Sequence, residues 1–277
     1  MDVSIIIVNY NTTKLVIDCI NSIYVHSTNI VFEIIVVDNC SPDRSIEKIT
    51  QIFPDITLVL NDKNNGFGAA NNLGNKYAKG KYLFLLNSDT LLLDNALEQF
   101  YDFMENTPDA GICGGNLLTK DLKPNMSFLQ LKPCLFYQIN ELFFEVFTRI
   151  IYYKNYRYST KNHVSEIKGF IIGADFFVRK ELFDQVNGFD EDFFMYYEEV
   201  ELTYRIEKLN YKSYVIPTIK IIHLEGGSTT ISTNKLKRMR ESQKLYYSKT
   251  GQKYYTIVSN LDKLIYCRDK IKNALKS

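Results

Sequence analysis

The sequence predicts a doubly wound α/β sheet. Short β-branched runs alternate with helical patterns through the first hundred residues, and the runs are apolar on successive positions rather than on alternate ones. Each of four runs ends in an Asn/Asp cluster. Strands buried on both faces read as continuous apolar segments, and strands separated by helices pair in parallel through crossovers. The order is a strand Val3 to Val8 and a helix Thr13 to Val25, then a strand Phe32 to Val37 and a helix Arg44 to Ile52. A strand Ile56 to Leu60, a helix from about Gly68 to Ala78, a strand Tyr82 to Leu86 and a helix from about Asp94 to Asn106 follow.

Beyond Ile112 the rhythm degrades into an aromatic-rich stretch, within which Cys134 to Tyr152 reads as one helix apolar enough to need a cover of protein, lipid or acceptor. Order returns with Ile167 to Val178, an acidic segment Gly188 to Arg205, and strands Ser213 to Ile216 and Ile219 to His223. The last 44 residues read as two helices broken near Gly251. No internal repeat is visible.

At 277 residues the chain suits one main domain with an appendage. A content of 45% hydrophobic and 23% charged residues, with 13 Gly and 6 Pro, excludes a collagen-like, low-complexity or wholly disordered chain. Five scattered cysteines without a C-x-x-C pair suggest neither a disulfide framework nor a zinc knuckle, and fit a reducing cytosol. The N-terminus lacks the basic flank and length of a signal peptide, and no run reaches the roughly 18 apolar residues that span a bilayer. The net charge of +1 hides an asymmetry: residues 234–277 hold 12 Lys/Arg against 3 Asp/Glu. A basic tail on an acidic body suits an anionic surface, and a solvated Lys-rich helix explains it equally well.

In doubly wound sheets ligands bind outside the carboxyl ends of the strands. Those ends here are Asn9-Tyr10-Asn11, Asp38-Asn39, Asn61-Asp62 and Asn87-Ser88-Asp89. Asn and Asp favour turns for local reasons, so each one alone is ordinary; four in succession at the ligand edge indicate a site. Neither G-x-G-x-x-G after the first strand nor G-x-x-x-x-G-K-[ST] occurs, which disfavours dinucleotide and P-loop cradles, and no G-x-S-x-G elbow suggests a hydrolase. What remains is a set of carboxylates and a histidine. Asp89, after a buried strand, suits a hard cation whose shell a diphosphate completes. His223 ends another strand, where a structural role is the commoner one for a lone His. Six acids lie within residues 190–201 among bulky aromatics. Desolvation and mutual repulsion there raise carboxylate pKa values and can prepare a general base. Glu201 and Arg205 form an ordinary i,i+4 helix pair, leaving Glu198 and Glu199; the plain alternative is a helix first turn enriched in acids.

Four ordered segments resemble the family 2 glycosyltransferases of the GT-A fold, in particular the bacterial rhamnosyltransferase-like branch. They are VSIIIVNYN with IIVVDNCSPD, then NDKNNGFGAANNLG, LFLLNSDT, and GFDEDFFMYYEEVELTYRI followed by IIHLEGGS. Together they span about residues 1–230. The resemblance implies that Asn11 and Asp38 lie against the nucleotide base, that Asn65 and Asn71 line the same pocket, and that Asn87 and Ser88 accompany them. It implies Mn²⁺ or Mg²⁺ on Asp89, with His223 as a second metal or diphosphate contact. Glu199 falls where the family usually carries the Asp of an E-D pair, its general base, so the carboxylate moves out by one methylene and Glu198 becomes an alternative. Asn87 replaces the first Asp of the family's D-x-D, leaving one charged metal ligand.

The expectation is therefore a GT-A domain over residues 1–233, with a nucleotide-binding half at 1–110, an acceptor and catalytic half at 111–233, and a basic helical tail at 234–277. It would act as an inverting transferase from a nucleotide-diphosphate-sugar to a glycan or lipid-linked glycan in bacterial surface polysaccharide synthesis. Nucleic acid is not an expected partner. The expected location is the cytoplasm, with the tail on the anionic inner face of the plasma membrane or packed on the body or a second subunit. A nucleotidyltransferase and a noncatalytic glycan-binding scaffold are the alternatives.

Overall fold

Alternate side chains of a strand face opposite sides of its sheet, and here both sides are covered. In a computed structural model, which describes residues 1–42, 45–152, 156–159, 163–224, 233–251 and 254–274, strand β1 (Val3–Asn9) sends Val3, Ile5 and Ile7 into one core and Ile6 into another. The first core receives Val16, Cys19, Ile20 and Ile23 from α1 (Thr13–His26). Next come β2 (Phe32–Asp38), α2 (Ser45–Ile52), β3 (Thr57–Leu60), α3 (Phe67–Asn75) and β4 (Tyr82–Asn87). A short strand β5 (Thr90–Leu92) that the pattern did not suggest precedes α4 (Ala96–Asn106), which adds Leu97, Phe100 and Met104 to the first core. Arg44, the expected start of the second helix, lies outside the described residues.

The remaining elements are β6 (Ala110–Leu118), β7 (Phe128–Leu129), α5 (Leu135–Leu142), α6 (Val146–Tyr152), β8 (Ser165–Ile167), β9 (Phe170–Ile171), β10 (Asp175–Arg179), α7 (Lys180–Gln185), α8 (Glu198–Glu207), β11 (Lys212–His223), α9 (Thr233–Lys249) and α10 (Tyr255–Ala274). Helices α3, α7 and α8 cover the second core with Ala70, Leu182, Phe183, Leu202 and Ile206. The main sheet runs β3-β2-β1-β4-β10-β6-β11-β5, with β8 paired to β11. Its first four strands are parallel, and β11 is parallel to β6. Strand β10 runs antiparallel to both neighbours, β4 and β6. It returns from the long excursion after β6 rather than from a crossover helix, so nothing forces it parallel.

Three expectations change. The helix read over Cys134–Tyr152 is a hairpin of α5 and α6, broken where Phe144 and Glu145 take left-handed φ values of 56° and 60°. The segment Ile167–Val178 is the three short strands β8, β9 and β10. The two strands expected near residues 213–223 are the single β11, whose register against β6 shifts between Val215 and Lys220. Pro217 has no N–H to give the ladder, so the strand bulges there instead of ending.

The tail forms two helices separated at Gly251, which takes φ 70°. Its apolar stripe is divided: Tyr246, Tyr247 and Val258 are buried in a third core with Phe170, Phe193 and Val200, while Met239, Ile257 and Leu264 stay exposed. The side chains of Leu236 and Ile271 lie outside the described residues. Tyr246 and Tyr247 thus pack on the body, one of the placements expected for the tail, where burial of their rings is favourable.

Candidate active site

Parallel pairing brings the strand ends together. Asn9 of β1 lies opposite Asp38 of β2, Asp38 opposite Leu60 of β3, and Val8 of β1 opposite Asn87 of β4. The polar residues at this edge bond one another. Asn9 Nδ2 donates to Asp38 Oδ1 at 2.7 Å and the Ser41 backbone N–H to Asp38 Oδ2 at 3.0 Å, which orients the Asp38 carboxylate. The Asn11 backbone N–H donates to Ser41 Oγ at 3.0 Å, with Asn11 at φ 57°. Thr12 Oγ1 donates to Asn9 Oδ1 at 3.0 Å and lies 3.1 Å from Ser88 Oγ, joining the ends of β1 and β4.

A second cluster lies on the β3 side. Asn61 Nδ2 donates to Asn39 Oδ1 at 2.9 Å, Asn39 Nδ2 to Asn64 Oδ1 at 2.8 Å, and the Asn65 backbone N–H to Asn39 Oδ1 at 3.4 Å. Asn65 is half-buried, whereas Asn71 is fully buried in α3, its amide donating to Phe67 O at 3.0 Å. Asn9, Asn39, Ser41 and Asn64 hold this edge together, although the resemblance singles out none of them. Their position at strand ends is the sequence signal that finds Asn9 and Asn39.

Beyond β4, Asp89 and His223 meet: Asp89 Oδ1 is 3.3 Å from His223 Nε2, and His223 pairs with Thr90 where β11 runs antiparallel to β5. Among the described residues no group of three or more His, Cys, Asp or Glu could hold a metal ion. One carboxylate and one imidazole, both partly open to solvent, are a donor set for a cation whose remaining ligands are phosphate and water. The pair fits that kind of ion and not an all-protein cage.

The acidic segment is folded against the start of α3. Gly66 has φ 94°, and a Cβ there would lie 2.0 Å from Phe194 O. The Phe67 N–H donates to that same oxygen at 3.1 Å. Asn72 exchanges bonds with the Phe189 backbone, donating to its carbonyl at 2.9 Å and accepting from its N–H at 2.8 Å. Tyr196 and Tyr197 then take left-handed φ values of 71° and 70°, two consecutive bulky residues in a region that costs about 1–3 kcal/mol each. Such strain persists only where surrounding structure imposes it. Helix α9 does so from outside: Ser242 Oγ donates to Met195 O at 2.8 Å, Lys249 Nζ bonds Asp190 and Asp192 at 2.5 and 2.6 Å, and Tyr246 packs 5.8 Å from the Tyr197 ring.

The strained turn launches α8 with Glu198 and Glu199. Glu198 is buried beside Gly68, and its Oε2 has no hydrogen-bond partner among the described residues. Desolvation, then repulsion from Glu199, pushes its carboxyl well above the carboxylate range. Glu199 lies against Gly173 and is partly accessible; desolvation raises it from 4.5 to about 7. That is a value at which a carboxyl can take up a proton near neutral pH. Glu201 and Arg205 are more than the ordinary helix pair the spacing suggests: Glu201 is buried, and Arg205 also bonds the carbonyls of Val186 and Gly188, the latter at 2.8 Å, bracing the entry to the acidic segment.

Comparison with known proteins agrees with this architecture. The model of the family described as glycosyl transferase family 2 matches residues 4–186. The chain is 25% identical over 207 residues to the N-acetylglucosaminyl-diphospho-decaprenol L-rhamnosyltransferase of Mycobacterium tuberculosis, covering 71% of this chain and 67% of that protein. Among solved structures, S. aureus TarS 1-349 in complex with UDP superposes with a TM-score of 0.58 at 17% identity, over 89% of this chain and 65% of that one. The mannosyltransferase PcManGT of Pyrobaculum calidifontis, in complex with GDP-Man and Mn²⁺, does so with a TM-score of 0.60 at 15% identity, over 95% and 69%. With a matching family model over most of its length and the GT-A sheet beneath its site, the chain belongs to glycosyl transferase family 2.

Proposed function

We propose that the protein transfers a sugar, with inversion, from a nucleotide-diphosphate-sugar to an acceptor hydroxyl in surface polysaccharide synthesis, with a divalent cation bound at Asp89 and His223. The observation that carries this reading is the Asp89–His223 pair beyond the strand ends, together with Glu199 near 7 at the start of α8, set against Gly173, whose neighbour Ala174 accepts the Asn87 N–H at the end of β4. Glu199 removes the proton from the acceptor hydroxyl as its oxygen bonds to the anomeric carbon, and the nucleoside diphosphate leaves with the electron pair of the broken C–O bond. A single displacement of this kind needs no covalent intermediate. Glu198, buried beside Gly68 with its carboxyl raised well above the ordinary range, is not the group assigned to take the proton. A bound Mn²⁺ or Mg²⁺ would neutralise charge on the departing diphosphate.

Asp38, oriented by Asn9 and Ser41, is the hydrogen-bond acceptor for the base, with Asn11, Asn65, Asn87 and Ser88 around it. Asn71, buried in α3, acts by holding the helix start rather than by touching the nucleotide. The mycobacterial relative is named for a lipid-linked sugar acceptor, and that supports an acceptor of the same class here. Action at the cytoplasmic face of the membrane belongs to the same reading, and no helix among the described residues is long and apolar enough to cross a membrane.

Thermal shift with UDP-, dTDP- and GDP-sugars, each with Mn²⁺ and with EDTA, tests the donor. A ligand at one hundred times its Kd stabilises by about 2.7 kcal/mol. One nucleotide series should stabilise the chain only with the cation present. Equal response to all or to none contradicts the reading.

A further inference from the structure

The α5–α6 hairpin is turned inside out. Its polar residues Gln138, Asn140, Glu145 and Thr148 are buried, while Phe136, Phe143, Phe144, Val146, Phe147, Ile150 and Ile151 are exposed, Ile150 to 75% and Ile151 to 66%. The inversion is built in by the backbone and by internal bonds. The left-handed pair Phe144–Glu145 reverses the chain. Asn140 Nδ2 donates to Thr148 Oγ1 at 3.1 Å, the Thr148 N–H to Asn140 Oδ1 at 3.2 Å, and Thr148 Oγ1 to Glu145 O at 3.0 Å, which locks α5 to α6 through their polar sides. The outward rings form one surface, with Phe147 5.8 Å from Phe136 and 6.3 Å from Phe143. Water-facing helices place their polar stripe outward, and soluble monomers rarely expose a contiguous apolar patch of this extent.

Charge at the hairpin selects the occupant. Of the residues exposed in α5, α6 and the link between them, Arg149 is the only one that is not apolar. The two acids turn inward: Glu145 is bonded by Arg157, with Glu141 3.8 Å from the same guanidinium. Arg268 of α10 lies over the Phe144 ring at 4.2 Å and donates to the Glu141 and Leu142 carbonyls, joining the hairpin to the basic tail. An anionic bilayer offers hydrocarbon for the rings and headgroups for Arg149 and the tail cations at the rim.

We infer that the α5–α6 hairpin, rather than the tail stripe, is the surface that docks on an anionic lipid bilayer, its aromatic and Ile side chains entering the headgroup boundary and Arg149 and the tail cations meeting the lipid charge. The inner side of the hairpin connects this face to the site. Tyr137, Gln138 and Glu141 of α5, Asp262 and Tyr266 of α10, and Tyr197 line one cavity of about 250 Å³. Tyr197 immediately precedes Glu198 and Glu199, so a docked hairpin stands one helix layer from the turn that carries the base. The inference deepens the glycosyltransferase reading, since it fixes the surface on which a lipid-linked acceptor is presented.

Flotation of the full chain on vesicles of phosphatidylglycerol and phosphatidylcholine in equal parts, and on phosphatidylcholine alone, tests it. The wild type floats with the mixed vesicles and is released by high salt. Ile150→Ser/Ile151→Ser, at positions that touch water, weakens flotation at least about tenfold and leaves the melting temperature unchanged. Arg149→Glu weakens flotation on mixed vesicles. No flotation of the wild type, or equal flotation of the Ser variant, overturns the inference, as does a dimer in sedimentation velocity that the Ser variant dissociates without any vesicle binding. The assay uses no donor, so failure of the transferase reading, seen as absent nucleotide-sugar binding, is a separate result.

Discussion

Activity should rise with pH through one ionisation near neutrality. Burial raises the Glu199 carboxyl to about 7, and only its ionised form can accept the proton of the acceptor hydroxyl. At about pH 5 roughly 1% of Glu199 is ionised, so kcat/KM falls about a hundredfold from its plateau, with a slope of one in the logarithmic plot. A carboxylate at its ordinary value would hold the plateau down to about pH 5. Stability moves the other way. The folded pKa lies above the unfolded one, so the contribution of Glu199 is fully present below the unfolded value and is lost as pH rises through about 7. Glu198, shifted in the same direction, adds to the loss. The assay is kcat/KM from about pH 5 to 8.5 at fixed ionic strength and saturating Mn²⁺, with the melting temperature followed in parallel. A flat rate profile through neutrality, with the melting temperature unchanged, refutes the assignment of a raised, working carboxyl at Glu199.

Three further outcomes follow from the geometry. Arg205→Met leaves the Glu201 carboxylate buried without its bidentate partner and frees the Val186 and Gly188 carbonyls, so chemical denaturation should show a loss of about 3 kcal/mol. Gly66→Ala places a Cβ 2.0 Å from Phe194 O at φ 94°, and should cost at least about 2 kcal/mol in denaturation and shift the α3 start, seen as weaker donor affinity in calorimetry. Asp89→Asn should weaken donor affinity in the presence of Mn²⁺ and leave it unchanged in EDTA; equal weakening in both places Asp89 in the loop rather than on the cation.

The parallel half of the sheet is legible because each of its strands is apolar on both faces and each helix carries one apolar stripe. Ile5 and Ile6, adjacent in sequence, end in different cores as that pattern requires. The Asn/Asp strand ends are legible for the same reason, since strand direction alone puts Asn9, Asp38 and Asn87 at one edge. The antiparallel β10 is not legible, because a strand fed by a long irregular excursion carries no directional signal in its own residues. The helix break at Phe144–Glu145 is hidden as well, since neither residue is one that usually takes positive φ. Long-range bracing escapes the sequence for a further reason. The contacts of Lys249 with Asp190 and Asp192 and of Tyr246 with Tyr197 join residues far apart in the chain, and the +9 tail reads as solvent-facing until its aromatic side is seen against the body.

The central claim is that Glu199 is the base of a direct displacement, with Glu198 buried beside it. Single-turnover transfer by the wild type, Glu199→Gln and Glu198→Gln, each at saturating donor with occupancy confirmed by calorimetry, tests it most directly. Glu199→Gln should lose roughly 10² to 10⁴ in rate with donor affinity unchanged, while Glu198→Gln, which puts an amide of the same size at the buried position, should keep most of its rate. Wild-type turnover by Glu199→Gln, with the loss appearing in Glu198→Gln instead, would contradict the account and move the base one residue back along the chain.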